Sequence, residues 1–184
     1  MTVGSASEGG EGGRPRWCVH LHLKSVVGFD VRIAEMVNAA RGVYGAAGVR
    51  IDICSKEVLE LPEHSRLFVG RCEAAQLTEA MRGLFAHRRG ARPADIVAYF
   101  VDSTVPPSDG CAAHPHDAPG LVVVRGACKW TLAHELGHVL GLVHTNERDS
   151  LMTGSGTANI SRPVPNLSRL ELYLASRSRF LLPL

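Results

Sequence analysis

Between His134 and His144 the chain places three histidines and one glutamate in the pattern HExxHxxGxxH, as His134-Glu135-Leu136-Gly137-His138-Val139-Leu140-Gly141-Leu142-Val143-His144. His134 and His138 are four apart. On a helix they stack one turn over the other, about 5–6 Å between Cβ atoms, so both imidazoles can converge on one ion at the ~2.0–2.1 Å typical of zinc–nitrogen bonds. Glu135, next to the first of these, flanks the ion and can reach water beside it. Gly141 stands where the helix must stop for the chain to turn back, because glycine tolerates the left-handed conformation of a sharp exit. The turn can then deliver His144 as a third ligand. Three neutral imidazoles leave the charge of a divalent ion uncompensated and one coordination position open, which suits a catalytic zinc and not a structural one.

The competing reading is an amphipathic helix with surface histidines. Leu136, Val139, Leu140, Leu142 and Val143 would pack a core in either case. That reading accounts for the apolar residues but not for Glu135, Gly141 and His144 together. Shortly beyond His144 comes Ser150-Leu151-Met152-Thr153-Gly154. A methionine in a turn here can pack its adaptable thioether beneath the imidazoles as an apolar floor.

Residues 129–154 resemble the metzincin clan of zinc endopeptidases, with its extended histidine motif and its Met-turn at Met152. The resemblance implies an α/β (α+β) fold. It has a twisted, mostly parallel sheet of about five strands with an antiparallel edge strand, a backing helix, an active-site helix and a C-terminal helix. It also implies one catalytic Zn2+ held by His134, His138 and His144, with Glu135 as general base and then acid. Thr145, a small hydroxyl after the third histidine, is most similar to the serine of matrixins. The astacin and serralysin tyrosine two residues after the methionine is replaced here by Gly154, so no subfamily is assigned. By the same resemblance Leu121–Val124 would be the edge strand to which an extended peptide adds, and residues 153–165 would wall the pocket and carry specificity.

The elements that must position this segment are legible as patterns. Val19, Leu21 and Leu23 alternate with His20, His22 and Lys24, which predicts a half-buried strand from Trp17 with both histidines on its solvated face. Ile33, Val37, Ala40 and Tyr44 predict a helix over 31–44, with Asp30 as N-cap and Gly45 and Gly48 as stops. Val49, Ile51 and Ile53 predict a second strand over 49–54. Helices are expected over 73–89, 129–141 and 167–178, the last on the spacing of Leu167, Leu170 and Leu174. Residues 95–101 read as a buried strand and 121–124 as another. The prolines and glycines of 102–120 and 153–165 read as loop.

The chain has 184 residues, 45% of them hydrophobic, and a net charge of +2. That charge is too weak a bias to imply nucleic acid or an anionic membrane, and no apolar run is long enough to span a bilayer. Residues 1–16, with five glycines, two glutamates and two arginines, read as a flexible polar arm before a single domain over 17–184. They contain no apolar signal region. The default expectation is therefore a cytoplasmic monomer, with another export route or a leader outside this sequence as alternatives.

Five cysteines at irregular spacing, without CxxC, read as free thiols in a reducing compartment. Cys111 stays open between a latency ligand for the zinc, a disulfide with Cys128 and a plain loop residue. His114, His116 and Asp117 could form a second metal site or belong to a loop. The leading functional reading is a zinc metalloendopeptidase acting on a peptide or protein substrate. The alternatives are a related hydrolase of a non-protein amide and a non-catalytic, zinc-stabilised binding module.

Overall fold

The computed structural model describes residues 14–26, 28–61, 68–69, 78–113 and 118–184. The main sheet holds β1 (Trp17–Ser25), β2 (Val49–Val58), β4 (Ile96–Val101), β6 (Gly110–Ala113) and β7 (Gly120–Val124). Their order is β2-β1-β4-β7-β6. All neighbours run parallel except β6, which is antiparallel to β7. The terminal β8 (Leu182–Pro183) adds antiparallel to the start of β1. A two-stranded pair, β3 (Phe68–Val69) with β5 (Thr104–Val105), stands apart.

A core lies on each side of the sheet, and alternation along β1 sends one set of its side chains into the first. Val19, Leu21 and Leu23 are completely buried with α1 (Val31–Ala46) and α3 (Thr131–Val139) on one face. On the other face Met81, Leu84 and Phe85 of α2 (Glu79–Phe85) pack on Val97, Tyr99 and Val122. The parallel pairing of β1 and β2 needs a crossover, and α1 supplies it. Asp30 caps α1 as predicted, its carboxylate accepting from the Ile33 amide at 3.1 Å.

Several expectations change. The strand expected to end near residue 54 runs on to Val58. The helix expected over 73–89 is described only as α2, capped by Thr78; residues 73–77 lie outside the described residues. The stretch 102–120, read as loop, holds β5 and β6. The edge strand is therefore β6; β7, which includes Leu121–Val124, lies between β4 and β6. The terminal helix is α4 (Arg169–Ser176), but its leucines do not form a buried stripe: Leu170 is 66% and Leu174 40% exposed. What starts it is a capping box, with Ser168 Oγ accepting from the Glu171 amide and Glu171 accepting from the Ser168 amide. Among the described residues no helix is long and apolar enough to cross a membrane.

The solvated face expected for His20 and His22 is not what forms. His22 is buried and His20 half-buried, and both reach the buried Asp95 at the start of β4, each at 3.2 Å. The Arg92 amide also donates to that carboxylate, at 2.9 Å. Burial pushes the Asp95 carboxyl up, but the side-chain and backbone hydrogen bonds of Arg92, with that of His22, outweigh it and hold the group at about 2. A carboxyl depressed in the folded state contributes stability that is complete above its unfolded value and lost as pH falls through the folded one. Asp95→Asn is thus expected to cost about 2 kcal/mol near neutral pH. The difference from wild type should shrink as pH falls from about 4 to about 2. Paired urea titrations across that range check it.

Candidate metal centre

The site is built on α3, whose residues are buried apart from the half-buried His138. The helix ends as its glycine requires. Gly141 adopts φ +94°, its amide donates to the His138 carbonyl, and the Leu142 amide donates back to the Gly137 carbonyl, both at 2.9 Å. This paired closure reverses the chain within one residue. It also sets a ligand, because the Leu142 carbonyl so positioned accepts from His138 Nδ1 at 2.9 Å. The Leu151 carbonyl does the same for His134 Nδ1 at 2.7 Å.

Those two carbonyls decide the chemistry of the rings. A carbonyl oxygen only accepts, so Nδ1 carries the proton in His134 and His138, and Nε2 of each neutral ring is a bare lone pair. The Nε2 atoms of His134, His138 and His144 lie 3.1–3.2 Å apart. Lone pairs packed this closely repel unless a cation sits among them. Ligands of a tetrahedral zinc are ~3.3 Å apart, so the spacing fits that ion closely. Burial pushes the His134 imidazolium pKa down against the opposing hydrogen bond to the Leu151 carbonyl, and His144 adds to the fall; burial and His144 both favour the neutral, ligating ring.

His144 is held from a distance in sequence. The Thr145 amide donates to the Met152 carbonyl at 2.8 Å and the Gly154 amide to the Thr145 carbonyl at 3.0 Å, so residues 144–145 and 152–154 are laced together. A Cβ built on Gly154 would stand 3.5 Å from the His144 Cβ, in ordinary contact. Met152 is fully buried, and a Cβ built on Gly137 would come within 2.5 Å of its sulfur. Glycine at 137 therefore lets the thioether press against α3. Gly137→Ala is expected to cost about 1–3 kcal/mol by overpacking. Thermal unfolding of the variant against wild type measures it.

Glu135 follows His134 on α3 and is 7% exposed. Its carboxylate lies against the backbone of β6: a Cβ on Gly110 would meet Glu135 Oε1 at 2.6 Å. Burial pushes the Glu135 carboxyl up to about 8 in the ion-free protein, with Asp109 adding to the rise; a cation at the three histidines acts in the opposite direction. Gly110 escaped the sequence reading because nothing local marks it. Only the fold brings it to Glu135.

Cys111 does not reach the three histidines. It is buried on the α2 side of the sheet and is disulfide-bonded, which removes the latency-ligand reading and corrects the expectation of free thiols throughout. Cys128 is free, so the Cys111–Cys128 bridge does not form. Cys128 Sγ instead lies 3.5 Å from the Thr157 carbonyl. His114, His116 and Asp117 lie outside the described residues.

A family model described as matrixin matches residues 124–164, the stretch that carries α3, the Gly141 turn, His144 and Met152. No curated protein matches the sequence. Among solved structures, the chain is similar to metalloproteinase-II from Bacteroides fragilis, with TM-score 0.59 and 15% identity over 91% of this chain and 54% of that one. The present chain thus spans about half the length of that protein. It is also similar to an archaemetzincin from Methanopyrus kandleri, with TM-score 0.59 and 22% identity over 87% of this chain and 94% of that one. The fold is metzincin-like. The mostly parallel five-stranded order with β6 antiparallel at its edge agrees with that expectation. The metzincin-like chain brings together its three histidines in a site that fits zinc.

Proposed function

We propose that the protein is a zinc-dependent metalloendopeptidase whose ion is held by His134, His138 and His144 and whose proton-transfer group is Glu135. The observation that carries this reading is the convergence of three Nε2 atoms at 3.1–3.2 Å, two of them left as lone pairs because backbone carbonyls hold the ring proton on Nδ1. Bound there, zinc supplies Lewis acidity toward a carbonyl and lowers the pKa of water towards ~7. The protein residues do the rest. Glu135, pressed between α3 and β6, takes a proton from water and delivers it to the departing amine. His134 and His138 keep their orientation because the Leu151 and Leu142 carbonyls hold them. Met152 packed on Gly137 supports the reading of residues 150–154 as a Met-turn.

Residues 153–165 are the proposed specificity wall. Their anchors include Thr157 Oγ1, 2.9 Å from Thr131 Oγ1 at the start of α3, and Asp149, which accepts from the Ser161 amide at 2.6 Å. The name of one similar protein, a metalloproteinase, together with the three-histidine site and Glu135 here, favours a peptide substrate. Incubation of a mixed peptide library with zinc-loaded protein should yield internal cleavages that stop on chelation. Intact peptides alongside hydrolysis of a small amide would overturn the endopeptidase reading.

Gly110 gives a sharper expectation. Gly110→Ala forces the Glu135 carboxylate off its place by the width of the new methyl group. A displacement of this size is expected to lower kcat/KM by about 10²-fold. Zinc content, measured by atomic absorption, should stay at the wild-type level.

A further inference from the structure

On the sheet face opposite α1 and α3, β1 and β2 bring a sulfur, a nitrogen and an oxygen together. The Cys18 thiol, the His20 imidazole and the Asp52 carboxylate place their ligand atoms within 4.8 Å of one another. Cys18 Sγ and His20 Nε2 are 3.9 Å apart. The strands dictate the grouping. Cys18 and His20 are two residues apart on β1 and share a face, and His20 pairs directly with Asp52 in the β1–β2 register. Cys18 is buried, while His20 and Asp52 are half-buried and open to solvent.

We propose that Cys18, His20 and Asp52 form a second metal site, for a zinc-class transition ion, separate from the three-histidine centre. A thiolate, imidazole and carboxylate set selects zinc, cobalt or cadmium over the oxygen-seeking magnesium and calcium. In a tetrahedral zinc site a sulfur and a nitrogen ligand stand ~3.6 Å apart, so the observed pair needs only a small closure.

The second support is the far side of the imidazole. His20 Nδ1 lies 3.2 Å from Asp95 Oδ1, inside the cluster that Asp95 makes with His22 and Arg92. A carboxylate on one ring nitrogen fixes the proton there and turns the lone pair of the other towards the ion, the arrangement common to metal-binding histidines. The Arg92 guanidinium also touches His20 Nδ1. A guanidinium can only donate, so it favours the opposite tautomer. Ion binding at Nε2 selects the Asp95-bonded tautomer and leaves Arg92 to its ion pair with Asp95.

Asp52 already accepts from Arg50 Nε and Nη2, each at 2.8 Å, and retains a second lone pair on each oxygen. Binding displaces the Cys18 thiol proton to solvent. The consequence is a staple between β1 and β2, directly behind Val19 and Leu21, whose opposite face supports the core under α3.

Cobalt titration of the full chain tests this, because a thiolate ligand gives a sulfur-to-cobalt charge-transfer absorption that an all-imidazole site lacks. Wild type is expected to take up two equivalents, one of them with that absorption. Cys18→Ser should lose the absorption and one equivalent while keeping the other. Asp52→Asn should weaken the same equivalent by at least about tenfold. His134→Ala should lose the other equivalent and keep the absorption, so failure of the first site and failure of the second are told apart. Saturating cobalt without thiolate absorption would overturn the proposal. So would absorption that survives Cys18→Ser and disappears in Cys54→Ser or Cys128→Ser. Should Cys18→Ser fail to fold, wild-type affinity in Asp52→Asn contradicts the site equally.

Discussion

Glu135→Gln is expected to abolish peptide hydrolysis while leaving the metal in place. The substitution keeps the side chain's shape between α3 and β6, where there is no room for a larger one beside Gly110. It removes the group that can accept and return a proton. General acid–base catalysis of this kind contributes about 10²–10⁴-fold, and kcat/KM should fall by the upper part of that range. The three imidazoles are untouched, since their orientation comes from the Leu142 and Leu151 carbonyls and not from Glu135. Metal content and unfolding temperature should therefore match wild type. Steady-state kinetics with metal analysis on the same preparation reads both. Loss of zinc together with activity would place Glu135 in the site's construction instead of its chemistry.

Removing the metal should produce the second large effect. Without a cation, three Nε2 atoms at 3.1–3.2 Å face one another with two lone pairs fixed inward. The rings must then rotate, protonate or separate, and each escape disturbs a neighbour. His134 is tied to the Leu151 carbonyl beside Met152, and His138 to the turn that ends α3. An ion that binds only the folded state stabilises it by about 4 kcal/mol when free ion stands 1,000-fold above its dissociation constant. Chelated protein should therefore unfold at clearly lower denaturant than zinc-loaded protein. In a Cys18→Ser background, His138→Ala should abolish most of that metal dependence. Equal unfolding midpoints with and without zinc would count against a folded-state site.

The parts of this structure legible in the sequence are those set by neighbouring residues. The strand β1 follows from strict alternation, α1 from its apolar spacing and the Asp30 cap, and the end of α3 from a glycine placed where a left-handed residue is needed. The grouping of His134 with His138 follows from helical pitch, and His144 joins them because Gly141 reverses the chain.

What was not legible depends on contacts distant in sequence. Gly110-Cys111-Ala112-Ala113 has no β-branched residue and lies among prolines, yet it becomes a strand because β7 offers it a partner. His20 and His22 look like free surface residues until Asp95, more than 70 residues away, takes both as partners. Lys24 is buried on the same logic, by an ion pair with Glu57 on β2. The capping box of Ser168 and Glu171 was a local signal for α4. It explains that helix better than Leu170 and Leu174, which stay exposed.

The most direct measurement of the central claim is X-ray absorption at the zinc edge, on protein carrying one equivalent of zinc in a Cys18→Ser background. The predicted spectrum has three imidazole nitrogens at ~2.0–2.1 Å, one lighter-atom ligand and no sulfur. Zinc that fails to bind, or a first shell with fewer than three imidazoles, would contradict the account.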